Sequence, residues 1–301
     1  MKNRLKLRIG DSGLLWLIAL PGILYFIVFK YMPLLGNVIA FQDYSIFHGL
    51  MESRFVGFKH FIFMFQYEEF INILKNTVLL SFYQIVIGFP APLFLALLLN
   101  EIRLSLYKRT VQTLLYLPHF LSWVIVGGIF INVLSIDGVV NQLLGLFGVS
   151  SIDFMTDKNF FRSIVVTSGV WKEVGWGMII YLAAMSGVNP HLYESAVVDG
   201  AKRWRQMWSI TLPAIAPAII TMFLLRIGNM LDANVEQMLA LLNPLVRPVG
   251  EVIDTYVYRA GLMGGQFSFT TAVGLFKSLI GLIMIVGLNM FSKRTTGNGI
   301  Y

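Results

Sequence analysis

Residues 193–201 read YESAVVDGA, and the same stretch ends with ITLP at residues 210–213. The stretch is polar, charged and helix-prone, but it lies between two long apolar segments of a mostly hydrophobic chain. Gly200 permits the left-handed backbone conformation that a turn between two helices needs. Pro213 can begin the following helix, because the first helical turn has no internal acceptor for its N–H groups. The stretch therefore predicts two short helices that are joined at Gly200 and placed between two membrane spans.

The composition is that of an integral membrane protein. Of the 301 residues, 56% are hydrophobic and 13% are charged, whereas a soluble domain carries roughly 25% charged residues. The chain is long enough for about six spans of roughly 20 residues each, with loops. Cysteine is absent, which excludes disulfides and thiolate metal sites. Much of the positive charge lies beside apolar runs, as membrane topology requires, and this argues against nucleic-acid binding.

Six apolar segments are predicted to span the membrane as α-helices. They cover residues 14–34, 72–99, 111–134, 162–187, 214–231 and 271–291. The first follows a basic start, and no small-x-small cleavage site comes after it, so we expect a retained anchor and not a removed signal peptide. We expect a single all-α membrane domain over residues 1–301, with a cytoplasmic loop at residues 189–213.

Basic residues predict the orientation of these spans. If the amino terminus is inside, four short inside segments hold 12 of the 23 Lys and Arg residues. These residues are Lys2, Arg4, Lys6, Arg8, Arg103, Lys108, Arg109, Lys202, Arg203, Arg205, Lys293 and Arg294. Because Lys and Arg accumulate in cytoplasmic loops, both termini are predicted to be cytoplasmic.

The stretch at 193–213 resembles the EAA loop of permease subunits in ATP-binding-cassette importers. The likeness consists of an acidic residue, small residues, Asp-Gly-Ala and, with nine residues between the glycine and its isoleucine, Ile-x-Leu-Pro; Ser195 stands where Ala is usual. In that family the loop is the cytoplasmic surface on which the ATPase subunit acts. The resemblance implies that the following residues couple to an ATPase: Glu194, Ser195, Ala196, Asp199, Gly200, Ala201, Leu212 and Pro213.

Four further stretches resemble sugar permeases of the maltose-transporter type, and in particular the LplB-like subgroup for oligosaccharides and polysaccharides. They read LPHFLSW at 117–123, NPL at 243–245, VIDTYVY at 252–258 and AVGLFKS at 272–278. The likeness covers nearly the whole chain and implies the six-helix type I importer fold in a bacterial plasma membrane.

The same resemblance implies a set of partners and no cofactor. A second related permease would form the other half of the pore, and two ATP-binding-cassette ATPase subunits would dock inside. An extracytoplasmic sugar-binding lipoprotein would deliver an oligosaccharide, docking on loops such as 35–71 and 232–270. We find no Gly-rich phosphate-binding loop, so ATP would bind on a separate polypeptide.

Lys172 and Glu173 lie inside the predicted fourth span, Arg226 inside the fifth and Lys277 inside the sixth. Ionisable side chains are costly at membrane depth and usually face the bundle interior or a watery path. One interpretation is a polar outer vestibule that favours anionic sugars such as uronates. Its candidate residues are Lys172, Glu173, Trp176, Arg226, Asn229 and Lys277. In the other interpretation the cations reach the outer headgroups or pair with Glu173 and nearby loop acids.

The alternative functional classes are a polytopic membrane enzyme and a secondary transporter. No paired carboxylates or Ser/His/Asp arrangement indicates catalysis, and the four histidines lack the spacing of a metal site. We see no internal repeat of the kind that many secondary transporters contain.

Overall fold

A computed structural model describes residues 3–296 of the chain. The side chains of residues 3–12 and 14 and of residues 295–296 are not among those described. The basic start predicted to mark the cytoplasmic side, at Lys2, Arg4, Lys6 and Arg8, therefore lies outside the described side chains.

The described chain is almost entirely helical. Its α-helices are α1 (Asn3–Phe26), α2 (Gly49–Glu52), α3 (Lys59–Gln66), α4 (Glu68–Tyr83), α5 (Pro90–Asn100), α6 (Ser105–Tyr116), α7 (Trp123–Leu134), α8 (Val139–Leu146), α9 (Lys158–Ser186), α10 (Pro190–Val198), α11 (Arg203–Gln206), α12 (Leu212–Gly228), α13 (Val235–Leu241), α14 (Arg247–Gly250), α15 (Ile253–Tyr256) and α16 (Phe267–Thr296). Tight 3-10 segments cover Met32–Phe41 and Leu117–Phe120. Wider π-helical segments cover Ile27–Tyr31, Gln84–Gly88, Met207–Thr211 and Val257–Met263.

Two short strands are the exception to the all-α prediction in the described part of the chain. Strand β1 (Gln42–Asp43) pairs antiparallel with β2 (Arg54–Phe55), so that Gln42 lies opposite Phe55 and Asp43 opposite Arg54. They close a hairpin directly after the first apolar segment.

Five helical segments of the described chain are long and apolar enough to cross a membrane. They are Leu15–Phe41, Glu68–Asn100, Trp123–Leu146, Arg203–Gly228 and Phe267–Arg294. The predicted fourth span, 162–187, corresponds to α9, which has 29 residues but is not among these five. It carries Lys172 and Glu173, and Phe161, Met178 and Tyr181 on it are buried by neighbouring helices.

Two predicted boundaries differ from the structure. The predicted span 111–134 is interrupted, because α6 ends at Tyr116 and the tight Leu117–Phe120 segment with Pro118 separates it from α7. Pro213 does lie in the first turn of α12, but the helical run already begins at Arg203. The π-helical segment before Leu212 continues the helix where the missing proline N–H would otherwise interrupt it.

The described residues form two compact units, and the prediction of one domain over 1–301 stays a prediction. The first unit contains the chain up to Gln66 and Ala260–Leu275. Its aromatic side chains pack together: the Phe41 ring lies 5.5 Å from that of Phe58 and 5.3 Å from that of Phe61.

The second unit contains Tyr67–Arg259 and the chain from Phe276 onward. Helix α9 lies at its centre and packs against α4, α5, α6, α7 and α12. The approach of α6 is close, because a Cβ at Gly175 would lie 2.0 Å from the Leu115 carbonyl oxygen. Two apolar clusters lie along α9, one around Phe161 and Val165 and the other around Met178 and Tyr181.

The segment between α12 and residue 259 folds back into this unit and is not a free loop. Val246, Val252 and Ile253 on it are completely buried. Polar side chains of the spans bind its backbone: Asn76 Nδ2 donates to the Pro248 oxygen at 3.0 Å, and Arg162 Nε donates to the Val249 oxygen at 3.1 Å. These hydrogen bonds and apolar contacts hold much of residues 232–259 in the bundle, and docking of a binding protein on loop 232–270 stays a prediction.

Candidate functional site

The hairpin at residues 189–213 is stabilised at its turn by local hydrogen bonds. Asn189 caps α10, since its Oδ1 accepts from the His191 N–H at 3.0 Å. Gly200 follows the helix with a φ of 74°. The Gly200 N–H donates to the Val197 oxygen at 3.0 Å, and the Ala201 N–H donates to the Ala196 oxygen at 2.8 Å. This is the Schellman arrangement, in which a left-handed residue lets two final helical carbonyls be satisfied.

The base of the hairpin is fastened to the rest of the unit. Tyr193 Oη lies 3.0 Å from Thr211 Oγ1, which joins the two helical arms of the hairpin. Arg203 Nη1 lies 3.4 Å from Glu101 Oε2 at the end of the α5 segment. The hairpin is therefore positioned by a contact between its arms and by contacts beside its turn, where Gln206 Nε2 also donates to the Ala201 oxygen at 2.8 Å.

The tip of the hairpin exposes apolar side chains beside an acid. Val198 is 87% exposed, and Val197, Trp204 and Trp208 are also exposed. The Glu194 side chain is 71% exposed and lies 2.9 Å from His191 Nδ1, one helical turn away. Sequence reasoning did not select Val197, Val198 or His191, although an exposed Val-Val pair next to a charged motif is a signal that could have done so. Exposed apolar side chains grouped beside a charged motif are suited to contact another protein.

Four of the six candidate residues inside the spans line one cavity of the second unit. Its volume is about 490 Å³, and it is lined by α4, the π-helical segment at Gln84–Gly88, α5, α7, α9, α12 and α13. Glu173, Trp176, Arg226 and Asn229 line this cavity, together with Asp232. Lys172 and Lys277 are not among its lining residues.

Lys172 and Glu173 join α9 to the interruption before α7. Lys172 Nζ donates to the His119 oxygen at 2.6 Å and lies 3.6 Å from Glu173 Oε1. Glu173 Oε2 lies 2.8 Å from His119 Nδ1. The His119 ring also stacks on Trp176, with a centroid distance of 4.7 Å and an angle of 4° between the planes. The pair thus satisfies the backbone where the helix is broken next to Pro118.

Lys277 is paired with acids from the fold-back segment. Its Nζ contacts both Asp232 and Asp254, and Asp254 Oδ2 also accepts from the Ala233 N–H at 2.8 Å. Arg226 differs from the two lysines, because its Nη2 donates to the Gln84 side-chain oxygen at 3.0 Å. The Asn229 side chain donates to the Leu225 oxygen of its own helix at 3.1 Å. The structure thus brings Glu173, Trp176, Arg226 and Asn229 to one cavity, while both lysines are held in ion pairs.

A further charged cluster, which the sequence did not reveal, holds the end of the fold-back segment. Arg259 binds Glu251 at 2.7 Å and Glu69 at 2.9 Å, and the Glu251 side chain is only 4% exposed. Hydrogen bonds with Glu251, followed by its negative charge and by Glu69, raise the pKa of Arg259. Burial raises the pKa of Tyr256, whose ring lies under the Arg259 guanidinium at 5.4 Å. The hydrogen bond to Glu69 raises the pKa of Tyr67.

Among the residues that the structure describes, no group of three or more His, Cys, Asp or Glu side chains is placed to hold a metal ion.

Comparison with known proteins gives consistent matches over the whole chain. The family described as binding-protein-dependent transport system inner membrane component matches residues 70–297. The polygalacturonan/rhamnogalacturonan transport system permease protein YteP of Bacillus subtilis (strain 168) is 48% identical over 301 residues, covering 100% of this chain and 94% of that protein. Protein LplB of the same organism is 46% identical over 288 residues, which cover 95% of this chain and 91% of that protein.

A solved structure is similar in fold as well as in sequence. It is a chain from a bacterial alginate ABC transporter in complex with an alginate pentasaccharide-bound periplasmic protein, and the TM-score is 0.91. The two chains are 41% identical, and the match covers 99% of this chain and 100% of that one. The arrangement of helices around the central cavity is therefore that of a type I importer permease.

Proposed function

The chain belongs to the family of binding-protein-dependent transport system inner membrane components, and on that premise we propose that it is one permease subunit of an ATP-driven oligosaccharide importer. Family membership confirms the predicted likeness to importer permeases. It also decides against the two alternatives, a polytopic membrane enzyme and a secondary transporter. In the proposed role, this chain forms half of the translocation path and hydrolyses nothing itself.

The observation that supports coupling to a separate ATPase is the exposed tip of a hairpin that is fixed at its base. Val197, Val198 and Glu194 are exposed on α10 beside the turn, while Tyr193 and Arg203 fasten the arms. A tip that is held in this way can transmit a push or pull to α12, because the helical run from Arg203 to Gly228 continues directly from it. Burying one valine in a partner groove contributes roughly 1.5–3 kcal/mol.

We propose that the substrate is an acidic oligosaccharide that contains uronate units. The relatives named above include a polygalacturonan/rhamnogalacturonan permease and a permease chain of an alginate importer. Both of those substrates carry a carboxylate on their sugar rings. The cavity of about 490 Å³ lies in the range of ligand pockets.

The proposed complex contains this chain, a second related permease, two cassette ATPases and an extracytoplasmic binding lipoprotein. One chain offers one EAA-type hairpin, whereas two ATPase subunits need two. An oligosaccharide has two unlike ends and no two-fold axis, so a pore of two unlike permeases suits it. The hairpin and both termini would face the cytoplasm of a bacterial cell, as the basic residues predict.

A matched pair of hairpin and control variants tests the coupling role. The complex is purified in mild detergent from cells that co-express the proposed subunits, and native mass spectrometry identifies the partners of the unchanged chain and of Val198→Asp. The control is Val149→Asp, at an exposed valine between α8 and α9. We expect Val198→Asp to lose the ATPase subunits and Val149→Asp to keep them.

Two outcomes would contradict parts of the proposal. Retention of both ATPases and of normal uptake in Val198→Asp would remove the coupling role of the hairpin tip. A transport-competent complex with two copies of this chain and no second permease would contradict the unlike pair alone.

A further inference from the structure

The cationic side chains of Lys172, Lys277 and Arg226 differ in the groups that they contact. Lys172 lies 3.6 Å from Glu173 and donates to a backbone oxygen, and Lys277 contacts two carboxylates. Arg226 forms no direct ion pair with a carboxylate in residues 13–294, although Glu173 lines the same cavity, and its hydrogen bond goes to the neutral Gln84 side chain at 3.0 Å. A guanidinium has five N–H donors in a fixed fork, so one bond to Gln84 leaves donors for a bidentate ligand.

The surroundings of Arg226 carry no excess of positive charge. The charged side chains that line the cavity are one cation, Arg226, and two acids, Glu173 and Asp232. Lys172 and Lys277 do not line it and are each paired with an acid. A general attraction of anions to the cavity is therefore not expected, and any preference for an anion must come from direct contact with Arg226.

An aromatic surface faces the same cavity. Trp176 lines the cavity and is 49% exposed in the single chain, and its ring is held by the parallel stack on His119, which Glu173 fixes in turn. Binding pockets combine apolar or aromatic walls with a small number of placed polar groups. Trp176 offers a flat face to a sugar ring, and Arg226 offers paired donors to a charged substituent on it.

We propose that this cavity contains a carboxylate-binding subsite, in which Arg226 binds the uronate carboxylate and Gln84 orients the guanidinium. Trp176 supports the ring of the same sugar unit. The inference rests on the proposed function and deepens it, because it assigns the recognition of acidic substrate to one side chain of the permease. Lys277 and Lys172 have structural roles in this view, since their charges are already matched.

The test uses the complete importer in liposomes and two oligosaccharides that differ only in charge. The probes are trigalacturonate and its fully methyl-esterified form, which keeps the rings and lacks the negative charges. Uptake of each probe by every variant is divided by uptake of that probe by the unchanged complex. The binding protein is the same throughout, so a change in the ratio between the two sugars reports on the permease.

Arg226→Gln is expected to lower trigalacturonate uptake about tenfold or more, as the loss of a charge-assisted contact predicts, and to lower ester uptake less than twofold. Arg226→Lys should keep part of the preference. Gln84→Glu should imitate Arg226→Gln, because it supplies a carboxylate partner without removing the arginine. Lys277→Gln should lower the uptake of both sugars by the same factor. In 0.5 M salt Arg226→Gln should still lose more trigalacturonate uptake than ester uptake, since a direct contact in a cavity is screened weakly.

The outcomes separate the two proposals. If Arg226→Gln and Gln84→Glu each lose as much uptake of the ester as of trigalacturonate, the carboxylate subsite is overturned while the importer function stays intact. Failure of the unchanged, ATP-hydrolysing complex to move either sugar would overturn the proposed substrate and the subsite with it. If Arg226→Gln does not assemble, the result for Gln84→Glu, which retains Arg226, decides the question.

Discussion

The Ala201 N–H donates to the Ala196 carbonyl oxygen at 2.8 Å across Gly200, and this single bond turns the chain from α10 toward α11. It requires Gly200 to hold a φ of 74°, while no heavy atom lies within 4 Å of the position that its Cβ would take. The need for glycine is therefore conformational and not steric. A side chain at this residue costs backbone energy in the folded hairpin without any clash.

Gly200→Ala should weaken coupling between ATP hydrolysis and transport. The left-handed conformation costs an alanine roughly 1–2 kcal/mol, so a fraction of hairpins should open. The measurement is the number of oligosaccharides moved per ATP hydrolysed by the reconstituted importer, which should fall. Gly200→Asn should be milder, because asparagine tolerates this conformation.

Gly148 provides a matched control for that strain. Its φ is 76°, its Cβ position is also open, and it ends α8 away from the hairpin. Gly148→Ala should lower thermal stability as much as Gly200→Ala but should leave coupling intact. Equal coupling in all the variants would show that the conformation of Gly200 does not matter for transport.

Removal of Arg259 should destabilise the fold-back segment. Arg259→Met leaves the nearly buried Glu251 carboxylate without its partner, which costs about 3 kcal/mol for a buried pair with one partly exposed member. Thermal unfolding of the purified complex should show the loss. The double variant Arg259→Met with Glu251→Met should recover most of it, because no uncompensated charge remains. A double variant as unstable as the single one would assign the effect to lost packing instead.

Glu194→Lys should reduce binding of the ATPase subunits, whereas His191→Gln should not. The two side chains lie 2.9 Å apart and both are largely exposed, so their mutual pairing contributes little to folding. Charge reversal at Glu194 would repel a basic residue on the ATPase surface. Co-purification yields of the ATPase distinguish the variants. Equal yields for both would place the contact on Val197 and Val198 alone.

Local features of the fold could be predicted from the sequence, whereas long-range contacts could not. The Asp199-Gly200-Ala201 turn was predictable because its hydrogen bonds join residues within six positions. The pairing of Lys277 with Asp232 and Asp254 was left open, because nothing local in the sequence chooses between these acids and lipid headgroups. The burial of residues 232–259 is long-range in the same way: Asn76 and Arg162 from distant helices bind the polar backbone of this segment, which lets it be buried.

Polar side chains also explain why five apolar segments are found where six spans are predicted. Apolarity identifies five segments, and α9 fails that criterion because Lys172 and Glu173 lie in its middle. These two side chains bind His119 at the interruption before α7, so they need not face lipid. A helix at the centre of a bundle can therefore cross the membrane without the hydropathy of a lipid-facing span.

Cysteine labelling should decide whether α9 spans the membrane. The chain has no cysteine, so single substitutions can be read without background. Ser151 precedes α9, and Lys202 follows it in the hairpin; both are exposed. If α9 crosses, an impermeant thiol reagent should label Ser151→Cys in intact cells and Lys202→Cys only after the membrane is opened. Met51→Cys, at the fully exposed tip of the β1–β2 hairpin, is a second outside position. Labelling of Ser151→Cys and Lys202→Cys from the same side would mean that α9 does not cross, and the hairpin could not then face an ATPase while residue 151 faces the binding protein.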